Sequence, residues 1–429
     1  MKEQKRKIAF VIVRYGKDIN GGAEVHCKML AERLTEKFQV EVLTTCVKDY
    51  KEGTNVYPIG EEKINGVLVR RFKASPLSAQ TIKKPLGINL RSIRTSLYKK
   101  HLLAPIANIF PIWNWTKKYN LYSYKKNVFY SPSLFSYIKK HKDEYDVFIP
   151  FTIDFPMVYY TVHYVPEKSL VIPTMHYQRA AFHPLLTETF TKAAYIGFNT
   201  QAEEKLAENI FGKRMSPHGI ISVGTEIVPP ADWEHTSIKY NLPQEYILYV
   251  GRIDKDKLDS IFQYFLAYKN LYKDSQLKLV LVGGLFVPPF KHPDIIYTGF
   301  VEESEKTSII EHAKIILNPS RNESLSLILL ETLSLKKAML ANGKCNVMKE
   351  HFKKSNHAIQ IYHTPKDFIS TLHELETSET LRKEMGEKGE KYVKENYDWS
   401  IIINRLITQI KTEIGLLIIY QLQHKNLLF

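Results

Sequence analysis

Short apolar runs alternate with helix-length stretches along nearly the whole chain, and that alternation limits its fold more than any other feature. A strand that is apolar at every position is covered on both faces, which calls for parallel neighbours and crossover helices. Residues 8–13 read as a first buried strand, 14–22 as a loop ending in Gly21-Gly22, and 40–45 as the next strand. Between them, 23–36 reads as a helix with Val25, Met29, Leu30 and Leu34 turned inward. Further strands are expected at 67–72, 146–151, 170–175, 195–199 and 220–223. Around Pro229-Pro230 a polar connector intervenes. A second series follows: strand 246–252, helix 258–272, strand 277–282 ending in Gly283-Gly284, strand 295–299, helix 302–313, strand 315–319, another helix, and strand 338–341. The expected fold class is α/β, with two Rossmann-like, doubly wound parallel-sheet domains facing a cleft. The expected limits are 1–230 and 231–385, with helices over 386–429. In such sheets ligands bind beyond the carboxyl ends of the strands, where every candidate loop below lies.

One stretch breaks the rhythm. An insertion of short helices and loops is expected at about 75–142, rich in Lys, Arg, Tyr, Trp and Pro. Between Lys63 and Lys142 there are seventeen Lys or Arg and no Asp or Glu, whereas the whole chain carries +15, so all the net basicity resides there. The three cysteines, Cys27, Cys46 and Cys345, are scattered and odd in number, which argues for a reducing compartment with neither a disulfide frame nor a zinc site. The basic start is followed by an apolar run too short for a signal peptide, and no run approaches the length of a membrane-spanning helix. An intracellular, cytoplasmic protein is expected, with peripheral contact at the inner membrane face left open.

The chemistry concentrates in 318–345. A polar loop there leads into a helix expected to begin near Ser324 to Ser326, apolar on most of its surface through Ile328, Leu329, Leu330, Leu333 and Leu335. Glu323 stands before the helix and Glu331 within it. The backbone amides of Ser324, Leu325, Ser326 and Leu327 offer unpaired donors at a positive dipole end, which suits a diphosphate. Glu331, roughly 8–10 Å further along the helix, would then match ribose hydroxyls. Taken alone, Glu331 equally suits a buried polar pair and Glu323 a helix dipole. Gly251, Arg252 and Lys257 leave the end of strand 246–252, where two cations neutralise a departing diphosphate. The acid-x-acid string Asp254-Lys255-Asp256 reads as coincidence because cations interrupt and flank it, so no metal is expected. Gly21 and Gly22 permit close approach of an anion or sugar. His176 follows strand 170–175, where a neutral imidazole can bond a sugar hydroxyl, although as one of fifteen histidines it suits a surface or core position better when taken alone.

Together these residues resemble the family-4 retaining glycosyltransferases of GT-B fold, within glycosyltransferase group 1. The paired glutamates of that family fall on Glu323 and Glu331, its Gly-Arg and downstream Lys on Gly251, Arg252 and Lys257, its glycine loop on Gly21 and Gly22, and its first-domain histidine on His176. Tyr392 to Trp399 resembles the helix that crosses back to the first domain. The chain departs from the pattern at Ser324 and Ser326, where glycines are usual, at Lys337-Ala338-Met339, and at Gly224-Thr225-Glu226. The resemblance implies metal-free transfer of a sugar from a UDP- or GDP-sugar, with retention, by a hexosyltransferase-type enzyme. Arg252, Lys257 and the helix amides would hold the diphosphate and Glu331 the ribose, while Glu323 and His176 would position the sugar. The basic, aromatic segment, with Lys83-Lys84, Arg91, Arg94, Lys99-Lys100, Ile109, Trp113 and Trp115, suits an anionic membrane surface and hence a glycan or lipid-linked acceptor in polysaccharide or lipopolysaccharide biosynthesis; a solvated basic face explains the same residues. A sugar-nucleotide epimerase or phosphorylase on the same plan is the alternative. A nucleic-acid-binding protein would use the basic segment but leave the two glutamates without a purpose.

Overall fold

A computed structural model describes residues 5–19, 21–50, 52–78, 89–113 and 115–425. Lys83 and Lys84 lie outside them. The chain divides into two compact units, Met1–Val223 with Ile402–Phe429, and Gly224–Ile401.

In the first unit, β1 (Lys7–Val11), β2 (Gln39–Thr45), β3 (Gly60–Ile64), β4 (Val67–Phe72) and β5 (Val147–Pro150) form one sheet in the order β3-β4-β2-β1-β5. All its pairs are parallel except the β3–β4 hairpin. A second sheet, β6 (Leu170–Val171), β7 (Tyr195–Phe198) and β8 (His218–Ile220), continues it through isolated parallel bridges from Phe148 to Ser169 and from Phe151 to Ile172. The order of the parallel strands reverses direction between β1 and β5. Around the sheets lie α1 (Gly22–Leu34), α2 (Leu90–Lys99), α3 (Leu103–Ile109), α4 (Lys117–Lys125), α5 (Pro132–His141), α6 (Pro156–Tyr164), α7 (Leu186–Lys192) and α8 (Gln201–Phe211). The helices of the insertion belong to the core. Leu90, Leu103 and Trp113 are buried in one cluster with Val158, Phe182, Phe190 and Phe211.

The second unit contains α9 (Trp233–Tyr240), β9 (Tyr246–Val250), α10 (Lys255–Leu258), α11 (Ile261–Leu271), β10 (Lys278–Val282), β11 (Ile295–Gly299), α12 (Glu303–His312), β12 (Ile315–Asn318), α13 (Leu327–Ser334), β13 (Met339–Asn342), α14 (Asn346–Lys354), β14 (Ile359–Tyr362), α15 (Pro365–Thr377) and α16 (Glu379–Asn396). Its six-stranded sheet is wholly parallel, in the order β11-β10-β9-β12-β13-β14. Read from β9 as the first strand, this is the 3-2-1-4-5-6 order of a dinucleotide-binding fold, with its switch point between β9 and β12. The last helix, α17 (Trp399–Lys425), begins in this unit and continues in the first from Ile402.

Three expectations need correction. The expected strand at 170–175 is only two residues long, because the chain leaves the sheet and reaches a left-handed Thr174 (φ 44°). The helix expected at 258–272 is broken into α10 and α11 at Asp259 (φ 47°). The helix expected to start at Ser324 to Ser326 starts at Leu327, because Ser326 has φ 96° and cannot be helical. The strand β3 was not expected, although Asn65-Gly66, both at positive φ, is the strongest short hairpin signal in a sequence. Its charged face makes it an edge strand. Glu61 and Glu62 pair across the hairpin with Arg70 and Arg71, so part of the basic segment serves the fold.

Candidate active site

The loops after β9 and β12 flank the switch point of the second sheet. Gly251 ends β9 with φ 149°, and Gly283 ends β10 with φ 136°. A Cβ on Gly283 would stand 2.0 Å from the carbonyl oxygen of Gly251, so the two loops touch backbone to backbone and no side chain fits there. Beyond Gly251, Arg252 is exposed and its Nε pairs with Asp254 Oδ2 at 2.6 Å. Asp254 also caps α10 by accepting the Lys257 amide at 2.8 Å. The first acid of the acid-x-acid string is thus committed to a cap and an ion pair.

The loop between β12 and α13 is braced by its own polar groups. Asn318 Nδ2 donates to Ser326 Oγ at 3.0 Å, and Ser320 Oγ donates to the Asn322 carbonyl at 3.0 Å. Arg321 pairs with Asp259 at 2.7 Å, and Asn342 donates to the same carboxylate and to the Pro319 carbonyl. On this frame Glu323 Oε1 lies 2.7 Å from Lys257 Nζ, an ion pair that spans the switch point from one loop to the other. The sequence named both residues without pairing them. Helix α13 buries Leu329, Leu330, Thr332 and Leu333. Its Glu331 pairs with Lys306 of α12 at 3.1 Å, and Lys306 also pairs with Glu303 at 2.6 Å. Burial raises the pKa of Glu331, and the Lys306 ammonium opposes that rise. Lys306 was not anticipated, because it stands 25 positions before its partner in the chain.

In the first unit Gly21 is extended (φ −74°) and caps α1. A Cβ there would meet Glu24 Oε2 at 2.0 Å, so any side chain at this position would displace the Glu24 carboxylate. The buried Glu24 carboxylate accepts from Arg14 Nε at 3.0 Å and Nη2 at 2.7 Å, and from the Tyr50 hydroxyl. The Arg14 guanidinium lies 3.7 Å over the Tyr50 ring. A carboxylate at the mouth of this loop disfavours a phosphate at Gly21 and Gly22 and favours hydroxyl groups. His176 is half-buried on the chain leaving β6. The preceding Met175 amide donates to the fully buried Glu203, which also accepts from the Asn199 amide at 2.7 Å. Burial raises the Glu203 pKa to about 8 against the pull of those two donors. Asp154, beyond β5, accepts from Gln178 Nε2 at 2.6 Å; burial raises its pKa, while that hydrogen bond and the neighbouring His176 oppose the rise. Thr152 (φ 59°), Thr174 (φ 44°) and Ser222 (φ 69°) follow β5, β6 and β8. Strained backbone of this kind gathers where a site is built, and a sequence does not display it. Among the described residues, no cluster of three or more His, Cys, Asp or Glu is arranged to hold a metal ion. Cys27, Cys46 and Cys345 are free thiols, all buried.

Residues 234–392 match the family model of the glycosyl transferases group 1. No curated protein matches the sequence. Among solved structures, the chain is similar to sucrose-phosphate synthase from Thermosynechococcus elongatus, at 14% identity and TM-score 0.64, over 96% of this chain and 100% of that one. It is also similar to the E. coli trehalose-6-phosphate structure bound with UDP-2-fluoro glucose, at 11% identity and TM-score 0.63, over 94% and 99%. A third match is Anabaena HepE in complex with UDP and glucose, at 13% identity and TM-score 0.62, over 95% and 99%. At such identities the likeness is one of fold, the GT-B fold.

Proposed function

We propose that this chain, whose residues 234–392 match the family model of the group 1 glycosyl transferases, moves a sugar from a UDP- or GDP-sugar to a glycan or lipid-linked acceptor with retention at the anomeric carbon. The observation that carries this reading is the Lys257–Glu323 pair spanning the switch point of the second sheet. Nucleotides bind at such a point in open parallel sheets. There the amides at the start of α13, with Arg252 and Lys257, take the diphosphate, whose negative charge grows as the bond to the sugar breaks. The partner of Arg252, Asp254, is close enough to hold the guanidinium in place until a ligand draws it away. Glu331, held by Lys306, accepts from the ribose hydroxyls. Glu323 is neutralised by Lys257, which suits it to accept from donor-sugar hydroxyls better than to attack carbon. In the first unit His176, with Asp154 and Gln178, is suited to bond sugar hydroxyl groups. The loop of Gly21 and Gly22, lined by Glu24, belongs to the same hydroxyl chemistry.

UDP-bound relatives of like fold favour a uridine donor. The basic, aromatic character of the 63–142 segment is what supports a place in cell-surface polysaccharide or lipopolysaccharide assembly. Thermal denaturation with a panel of UDP- and GDP-sugars tests the donor. One nucleotide series is expected to raise the midpoint, and Arg252→Ala with Lys257→Ala is expected to remove the rise. A rise that survives both substitutions places the nucleotide elsewhere, and no rise with any donor contradicts the reading.

A further inference from the structure

We propose that the corner made by the end of α3 and the chain after it, residues 109–113 and 115, is a membrane-contact edge that seats the chain on an anionic lipid surface. Ile109 is 66% exposed, Phe110 63%, Ile112 38% and Trp115 80%, within seven consecutive positions. Large apolar side chains gathered so closely in the open are rarely left to water. The loop is held, not loose. Trp113, between these residues, is buried, its Nε1 donates to the Phe110 carbonyl at 2.7 Å, and its amide donates to Thr187 Oγ1 at 3.2 Å. The Trp115 ring stacks on the buried Trp113 at 5.8 Å and 17°. The same contacts that anchor the loop turn its apolar tips outward.

Charge selects the occupant. Of the cations in the basic segment, Arg70 and Arg71 pair with Glu61 and Glu62, Lys117 pairs with Glu188, and Arg94 is buried beneath the Trp113 ring. None of these is available to a partner. The cations beside the apolar tips are exposed. Arg214 Nη1 donates to the Ile109 carbonyl at 3.4 Å, the Lys213 amide donates to Asn108 Oδ1 at 2.7 Å, and Lys118 follows the loop. The segment itself contains no acid. Apolar and indole side chains ringed by Lys and Arg match the boundary between acyl chains and anionic headgroups. A second copy seated face to face would set the same cations against one another. This edge gives purpose to the lipid-linked acceptor of the proposed function and rests on that reading for its role, though not for the attachment itself.

The test uses the full chain and sedimentation with vesicles of phosphatidylcholine, with and without phosphatidylglycerol. Binding is expected to vesicles with phosphatidylglycerol and to weaken with salt. Phe110→Ser with Trp115→Ser is expected to lower partitioning about tenfold or more, with the thermal midpoint and nucleotide-sugar stabilisation unchanged. Lys213→Gln with Arg214→Gln is expected to weaken binding and flatten its salt dependence. Equal binding by the aromatic double variant, no binding by the natural chain, or a dimer dissolved by the same double variant would each overturn the proposal. Loss of nucleotide-sugar stabilisation in the natural chain bears on the proposed function and leaves the vesicle result intact.

Discussion

Ser326 carries a conformation that glycine adopts without cost. At φ 96° a side chain is strained, and its one return is the hydrogen bond from Asn318. Ser326→Gly gives up that bond and removes the strain, whereas Ser326→Ala gives up the bond and keeps it. The glycine variant is therefore expected to be more stable than the alanine variant by about 1 kcal/mol or more in urea unfolding. Equal stabilities would mean that the left-handed conformation costs nothing here. Lys306 offers a second test. Lys306→Met leaves the mostly buried Glu331 without its cation, and a loss of about 3 kcal/mol is expected at neutral pH. The loss should shrink in acid, where the carboxylate protonates; an unchanged stability would show that Glu331 does not depend on the pair. At this scale the sequence displayed the two glutamates, Arg252 and Lys257, because Arg252 follows a strand-ending glycine and the four together fall on the spacing of a family pattern. Lys306, Asp154, Glu203 and the Arg14–Glu24–Tyr50 group were not legible, since their partners are distant in the chain and carry no spacing rule.

Among the elements, the close approach of the loops after β9 and β10 is the sharpest geometric demand. Gly283→Ala places a methyl against the Gly251 carbonyl, so the loop bearing Arg252 must move. A lowered thermal midpoint and weaker stabilisation by nucleotide-sugar are expected together, measured in one titration series. Full retention of both would show that the loop relaxes freely. Strands such as β1, β9 and β12 were legible because apolar runs bounded by turn residues leave few other readings. Element ends were not, because single left-handed residues set them. Thr174, Asp259 and Ser326 stop or break an element at points no local pattern singles out, for tertiary reasons such as the Asp259 contacts with Arg321 and Asn342.

Across the molecule, each unit buries a histidine against protonation. Burial lowers the pKa of His26 to about 3 and of His351 to about 4. In the unfolded chain both take up protons near pH 6.5, so stability is full above that value and falls as the pH drops toward the folded pKa values. Between pH 7 and pH 5 a loss of up to about 2 kcal/mol for each histidine is expected in urea unfolding. Each of His26→Asn and His351→Asn should flatten the profile, and an unchanged slope would contradict the assignment. That the sheets are largely parallel was implicit in the strand–helix alternation, but the strand order and with it the two switch points required the pairing pattern itself. They place Gly251, Arg252 and the 318–326 loop at one, and the glycine loop and Asp154 at the other. The measurement that bears most directly on sugar transfer at the first of these points is NMR of the product formed from an α-linked nucleotide-sugar and a membrane extract. Release of nucleoside diphosphate with a new α-linkage is expected, reduced about a hundredfold or more in Glu323→Gln. A β-linked product, or turnover that Glu323→Gln leaves intact, would contradict it.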